Sequence, residues 1–269
     1  MKQSSLIFSA LSAISLFIIG RMLLNGIASI AVPFGYLLYF LLFLGFTYCL
    51  IKKLAKANGM TMSDCYLSRP FITRTGAAAA VFFPILVFLW ESWGAAGTWY
   101  VNKSASFSLL TALFHAFFYS GLSSGIGEEM MFRGYLTGLC VKYKKPPYYP
   151  YILPGVLFAL GHLPQLLLQT SPLLFALQFF QYLSLSFFLT SLTLKSRSIW
   201  DAALFHASWN LFAAGNSIIS TEITPNPNAI FTYVLEGQPT LIFPQELNFL
   251  IISSILLFGA FITCHSRSL

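Results

Sequence analysis

Long apolar runs separated by short polar stretches make up most of this chain. A run of about 20 apolar residues is the length that an α-helix needs to cross a bilayer. Eight such runs predict membrane-spanning helices at about 6–30, 33–51, 76–93, 107–126, 151–168, 173–194, 199–215 and 247–263. The fourth run leads into a polar motif, after which the helix is expected to resume as far as Cys140. The short alternating segments typical of an outer-membrane barrel do not occur in the sequence, so we predict an all-α, polytopic membrane bundle.

Positive charge outside these spans falls mainly on one side of the predicted bundle. The loops at 52–75, 142–145 and 195–197 carry most of the Lys and Arg residues, whereas the loops assigned to the other side hold Lys103 alone. The positive-inside rule therefore places the basic loops and both termini in the cytoplasm. Arg21 lies within the first span, and its side chain is expected to reach the outer interface.

The composition fits a membrane protein and does not point to nucleic acid as a partner, and it leaves the oligomeric state open. Hydrophobic residues make up 57% of the chain and charged residues 9%, with a mean hydropathy of +0.74, whereas a soluble domain carries about 25% charge. The net charge of +7 is spread over short loops and forms no long basic run, so it does not point to nucleic acid. We predict a single integral-membrane domain, residues 1–269, whose surroundings are the lipid bilayer.

Two adjacent carboxylates, Glu128 and Glu129, stand in an otherwise apolar stretch. The sequence has only eight acidic residues, and a carboxylate inside a membrane is costly enough to be a functional candidate by default. Arg133 follows Glu129 at i+4, which places both side chains on one helix face, and a pair between them would offset the cost of burial. Glu128 is rotated by about 100° and has no partner on its own helix, which suits a general base or acid.

Two later stretches show the same helical spacing. His162 follows Phe158 at i+4, so the aromatic ring would pack beside the imidazole and limit water around it. His206 and Asn210 are spaced in the same way, and both side chains could donate hydrogen bonds to one small anion such as a tetrahedral oxyanion. At about 1.5 Å per residue, Glu128, His162 and His206 all lie in the cytoplasmic half of the membrane or near its midplane. The sequence therefore predicts that the three stretches meet in one site.

Polar residues in membrane helices also have structural explanations that do not involve catalysis. A single histidine in a membrane helix more often bridges helices by a hydrogen bond than it catalyses a reaction, and we assign that role to His115. Asp201 is expected to stabilise the start of its own helix through the N-terminal dipole. The ordered occurrence of the acidic motif, His162 and the His206 pair on separate spans nevertheless favours a functional site.

The three motifs resemble those of the CPBP family of intramembrane endopeptidases, which includes the type II CAAX-prenyl proteases and bacteriocin-processing and self-immunity relatives. That family has the patterns EExxxR, FxxxH and HxxxN or HxxxD, which stand here at 128–133, 158–162 and 206–210. The resemblance covers about residues 105–215, which would form the catalytic core. It implies a peptide-bond hydrolase of eight helices whose site opens toward the cytoplasm.

The resemblance also implies a role for each matching residue. Glu128 would be the general base that activates water, with help from His162. His206 and Asn210 would stabilise the oxyanion. The residues that would hold the geometry of the site or touch the substrate are Glu129, Arg133 and Phe158.

The family has been described both as metalloproteases and as glutamate-dependent enzymes without a metal. Two histidines and a glutamate could ligate zinc, so zinc stays an alternative here. The HExxH motif does not occur, asparagine is an unusual zinc ligand, and the four cysteines show no ligand spacing. We therefore expect no cofactor and no metal.

Two other functions compete with the protease hypothesis. Intramembrane Glu, His and Arg residues also build proton relays in ion-coupled transporters, although the sequence shows no inverted repeat. A catalytically idle immunity or scaffold protein could keep the same motifs. If the chain is a protease, its substrate is expected to be a membrane-tethered or lipidated peptide or protein. The short loops suggest a bacterial cytoplasmic membrane.

Overall fold

The computed structural model describes residues 3–30, 32–67, 71–91, 97–103, 108–169, 171–212, 218–222, 224–226, 229–236 and 245–265. Its helices are α1 (Gln3–Ala28), α2 (Phe34–Ala57), α3 (Arg74–Glu91), α4 (Leu109–Lys142), α5 (Tyr149–Gly161), α6 (Leu163–Leu166), α7 (Pro172–Ser196), α8 (Trp200–Phe212) and α9 (Gln245–His265). Its strands are β1 (Gly97–Val101), β2 (Ile219–Glu222) and β3 (Phe231–Leu235).

Each predicted span overlaps at least one helix, but the helices differ in length. Among the described residues, α1, α2, α4, α7 and α9 are long and apolar enough to cross a membrane. Helices α3 and α5 are also apolar, but the apolar stretch of each is shorter than 18 residues. The chain is therefore an integral membrane protein built mainly of helices. The count of eight spans and the cytoplasmic location of both termini stay predictions.

The fifth predicted span, at 151–168, is not one helix. Helix α5 ends at Gly161, and the one-turn helix α6 starts at Leu163. Pro164 explains the break, because its ring lacks an N–H and would clash with the carbonyl four residues earlier in a continuous helix. His162 consequently lies at a bend, with φ −97° and ψ 14°, instead of on a helix face.

Helix α4 carries the acidic motif and has several other helices as neighbours. It packs against α2, α5 and α8. The sequence predicts that glycines loosen the helix before Glu128, and the structure shows a helix that widens without breaking. His115–Glu128 and Met130–Leu136 are π-helical, a geometry that often occurs at functional sites.

A glycine allows α4 to approach α8 closely. A Cβ added at Gly125 would lie 2.8 Å from the carbonyl oxygen of Ala203 and from the Cβ of Ala207. Because no side chain separates the two backbones there, residues on α4 and α8 one turn beyond this contact can reach each other directly.

Parts of two predicted loops form a three-stranded sheet, so the all-α prediction is wrong in this detail. The strand order is β1-β3-β2, with β1 antiparallel and β2 parallel to β3. Strand β1 follows α3, and β2 and β3 come from the stretch between α8 and α9. Since these two loops pair with each other, they lie at the same end of the bundle, as the predicted alternation of spans requires.

The basic loops meet at another point of the structure. Nζ of Lys142, at the end of α4, lies 3.1 Å from a carboxylate oxygen of Asp64 in the loop after α2. The hydroxyl of Tyr143 donates to the backbone carbonyl of Asn58 at 2.6 Å. These contacts place the loop after α2 and the loop after α4 together, as their shared positive charge predicts.

Asp201 has a wider role than the sequence predicts. Its carboxylate accepts hydrogen bonds from both the backbone N–H and the hydroxyl of Thr73, each at 2.7 Å. Thr73 immediately precedes α3, so Asp201 on α8 stabilises the start of a neighbouring helix and links α3 to α8.

Candidate functional site

Glu129 is the centre of a buried group of charges formed by α4 and α8. Its Oε1 atom lies 2.9 Å from Nη1 of Arg133 and 2.8 Å from Nδ1 of His206. The Arg133 contact follows from the i+4 spacing within α4, as the sequence predicts. The His206 contact joins two helices at the level where Gly125 lets them approach. All three side chains are almost inaccessible to solvent.

The hydrogen bond between Glu129 and His206 orients the imidazole. A carboxylate only accepts, so Nδ1 of the ring carries the proton in this bond. Nε2 is then the ring nitrogen that remains for a substrate or a water molecule. Glu129 therefore acts on His206 as a positioning residue.

The ring of Phe158 packs among the charged and imidazole groups of the site. The Arg133 guanidinium lies 4.4 Å from the ring centroid, which is a cation–π contact. The rings of His162 and His206 have centroids 4.6 and 5.8 Å from the same ring. Phe158 is fully buried, so it separates the two imidazoles and excludes water between them. The prediction that it packs beside His162 is confirmed.

His162 is held at the bend between α5 and α6 by two contacts. Its Nδ1 atom donates to the carbonyl oxygen of Phe158 at 2.8 Å. Its ring stacks on Tyr182 of α7, with centroids 4.3 Å apart. Because a carbonyl only accepts, the neutral ring carries its proton on Nδ1, and Nε2 is left as a proton acceptor.

Glu128 faces away from Glu129, as the helical rotation predicts, and it meets Arg21 of α1. Nη1 of Arg21 lies 2.5 Å from Oε1 of Glu128, and Nη2 of the same guanidinium lies 3.4 Å from the hydroxyl of Ser124. The Glu128 side chain is 4% exposed and the Arg21 side chain 40%. Arg21 thus pairs with a buried carboxylate on α4, and its predicted reach to the outer interface stays a prediction.

Both imidazoles lie near enough to Glu128 to interact with its charge. The structure therefore brings together Glu128, His162 and His206, along with the supporting residues on α4 and α5. Asn210 lies one turn beyond His206 on α8, and its amide donates to the backbone carbonyl of Ser120 at 3.2 Å. The part of Asn210 in an oxyanion hole stays a prediction.

Arg21 is the site residue that the sequence reasoning missed. It stands alone in an apolar helix, 107 positions before Glu128, and no motif or helical spacing connects the two. An arginine in the middle of a span was the available signal, since such a residue normally pairs with an acid inside the bundle.

No group of three or more His, Cys, Asp and Glu side chains that could hold a metal ion occurs within the described ranges. The carboxylate nearest to His206 is already bound to Arg133 and to the ring nitrogen Nδ1. Whether the protein uses a metal stays a prediction.

Fold and site together define an integral membrane protein in which carboxylate, imidazole and guanidinium groups cluster inside a helical bundle. Residues 109–212 match the sequence model of a family described as type II CAAX prenyl endopeptidase, Rce1-like. The matched segment runs from the start of α4 to the end of α8 and contains every site residue that the sequence predicts. The resemblance to this group of intramembrane proteases is confirmed over these residues. Comparison with curated proteins gives no match.

Proposed function

We propose that the protein is an intramembrane endopeptidase that hydrolyses a peptide bond with water activated by Glu128. The observation that carries this proposal is the environment of Glu128, a buried carboxylate with the imidazoles of His162 and His206 in electrostatic range. The neighbouring Glu129 is bound to Arg133 and His206. Two adjacent carboxylates thus have separate partners: Glu129 is held by Arg133 and His206, and Glu128 is held by Arg21, with both imidazoles in electrostatic range.

The proposed reaction begins with a water molecule between Glu128 and His162. Glu128 takes one proton, and the hydroxide oxygen forms a bond with the carbonyl carbon of the scissile peptide. Nε2 of His162 accepts a hydrogen bond from the same water and orients it. The carbonyl oxygen becomes an oxyanion, to which Asn210 donates from its amide and His206 from Nε2, a donation that requires the imidazolium form of His206 with a proton on both ring nitrogens. When the C–N bond breaks, Glu128 returns the proton to the leaving amine, so that a carboxylic acid and an amine are released.

Glu129, Arg133 and Phe158 support this reaction without touching the reacting atoms. The carboxylate of Glu129 fixes which nitrogen of His206 faces the substrate. Arg133 neutralises that carboxylate, and Phe158 keeps the two imidazoles apart in a dry environment. A charge-assisted hydrogen bond gains strength where water is excluded.

The substrate we propose is a membrane-tethered or lipidated peptide or protein. The site lies among helices that carry many exposed apolar side chains on their outer surfaces, which supports a substrate that is anchored in the surrounding lipid. We place the protein in a bacterial cytoplasmic membrane and propose that the reaction needs no metal.

Substitution of Glu128 tests the function. In liposomes that contain the purified protein and a lipidated fluorogenic peptide, Glu128→Gln should lower the cleavage rate by about 10²- to 10⁴-fold, the usual contribution of a general base. Asp64→Asn makes the same chemical change in a loop and should leave the rate unchanged. Full activity of the Glu128→Gln protein would remove Glu128 from the mechanism. Loss of activity in a chelator, restored by zinc, would contradict the metal-free proposal.

A further inference from the structure

We propose that Arg21 is a positioning residue for Glu128, so that helix α1 forms part of the active site although it lies outside the segment that matches the protease family. This inference rests on the proposed function of Glu128 as the general base. The role of Arg21 is to keep the Glu128 carboxylate ionised and correctly oriented, which a general base needs before it can take a proton from water.

The guanidinium contacts two groups on α4 at once. Nη1 of Arg21 binds Oε1 of Glu128, and Nη2 binds the hydroxyl of Ser124, which precedes Glu128 by four residues on the same helix. The hydroxyl of Tyr39 and the ring of Phe43, both on α2, lie beside the same guanidinium. A planar group whose second nitrogen is tied to Ser124 presents its first nitrogen to Oε1 of Glu128 from a defined direction, which restricts where this carboxylate oxygen can lie.

Burial explains why Glu128 needs this partner. Its side chain is 4% exposed, and a carboxylate in such surroundings is stable as an ion only when it is paired. Arg133 is on the same helix, but its guanidinium binds Glu129. Among the described residues, Arg21 is the cation in direct contact with the carboxylate of Glu128.

The packing of α1 indicates that Arg21 serves the site more than the fold. Helix α1 packs mainly against α2 and touches α4 at few positions. The two residues that follow Arg21 face outward, with Met22 71% and Leu23 77% exposed. One turn later, Asn25 accepts a hydrogen bond from the hydroxyl of Tyr119 on α4 at 2.6 Å. Among the residues that the structure describes, Arg21 and Asn25 make side-chain hydrogen bonds from α1 to α4, and of these two Arg21 reaches the proposed base.

This pair of contacts supplies a matched control. Arg21→Gln and Asn25→Ala each remove a polar contact between α1 and α4, but only Arg21→Gln removes positive charge from Glu128. We expect Arg21→Gln to lower kcat by about 10- to 100-fold with little change in KM, since a charge-assisted hydrogen bond is worth this factor. Arg21→Lys should recover part of the loss because it restores the charge. Asn25→Ala should cleave the lipidated peptide at the wild-type rate.

Chemical rescue separates positioning from a merely structural role. Arg21→Ala leaves room beside Glu128, and added methylguanidinium should restore part of its activity. It should restore none in Glu128→Gln, where the carboxylate itself is gone. Thermal unfolding of each purified variant, in the same detergent, shows whether it is folded under the assay conditions.

The outcomes distinguish the inference from the proposed function. If Glu128→Gln is inactive while Arg21→Gln is as active as Asn25→Ala, Glu128 is the base and Arg21 does not position it. Equal losses of cleavage activity in Arg21→Gln and Asn25→Ala, without rescue by lysine or methylguanidinium, would mean that Arg21 only holds α1 against α4. If Glu128→Gln cleaves at the wild-type rate, the proposed function fails and the role of Arg21 fails with it.

Discussion

Removal of Arg133 should destabilise this protein far more than removal of a surface cation. The Arg133 and Glu129 side chains are both 0% exposed, and their charged atoms are 2.9 Å apart. When one partner of such a buried pair is removed, the remaining charge lacks compensation, at a cost of about 3–5 kcal/mol. In Arg133→Met, Glu129 would keep only His206 as a partner, and Phe158 would lose its cation–π contact.

The chain offers an exposed ion pair as a control. The side chains of Lys142 and Asp64 are 40% and 27% exposed, with the charged atoms 3.1 Å apart. Exposed pairs of this kind are worth about 0–1 kcal/mol. Lys142→Met should therefore change the free energy of unfolding much less than Arg133→Met does, although each substitution removes one cation from one carboxylate.

The double variant Arg133→Met/Glu129→Met provides the sharper test. It removes both charges, so no uncompensated ion stays buried, and it should be less destabilised than Arg133→Met alone. Free energies of unfolding can be measured by titrating the purified proteins with SDS in mixed micelles. The reasoning is refuted if Arg133→Met costs no more than Lys142→Met, or if the losses of the two single variants simply add in the double variant.

Two further predictions concern contacts outside the site. Asp201→Ala should cost about 1–3 kcal/mol in the same SDS titration, because two donors of the part-buried Thr73 would lose their acceptor. Stability equal to wild type would remove this link between α3 and α8. The hydrogen bond from the backbone of Thr61, with the nearby Lys142, lowers the pKa of Asp64 below its ordinary value. A lowered folded-state pKa stabilises the protein above the ordinary value near 4, and this contribution is lost as the pH falls through the lowered one. Asp64→Asn should therefore be slightly less stable than wild type at pH 7, and the difference should vanish in acid; a difference that grows in acid would contradict the assignment.

The sequence was sufficient where the physics is local. Apolar runs gave the positions of the helices, because the thickness of a bilayer sets their length and the chemistry of their surface. The i+4 spacing gave the pair of Glu129 and Arg133, because residues four apart share a helix face whatever surrounds the helix. The break at His162 was not within reach, since Pro84 and Pro154 lie inside continuous helices while Pro164 lies at a break, so a proline alone does not predict one.

Contacts between helices depended on the tertiary structure. Which residue on α1 or α8 meets α4 is set by how the helices rotate and cross, and a sequence without repeats does not encode these angles in any local pattern. The partnership of Arg21 with Glu128 and that of His206 with Glu129 span 107 and 77 positions. The sheet formed by β1, β2 and β3 likewise joins segments far apart in the chain. Helical spacing thus predicted which polar groups share a face of one helix, and the packing of the helices decided which groups of different helices meet.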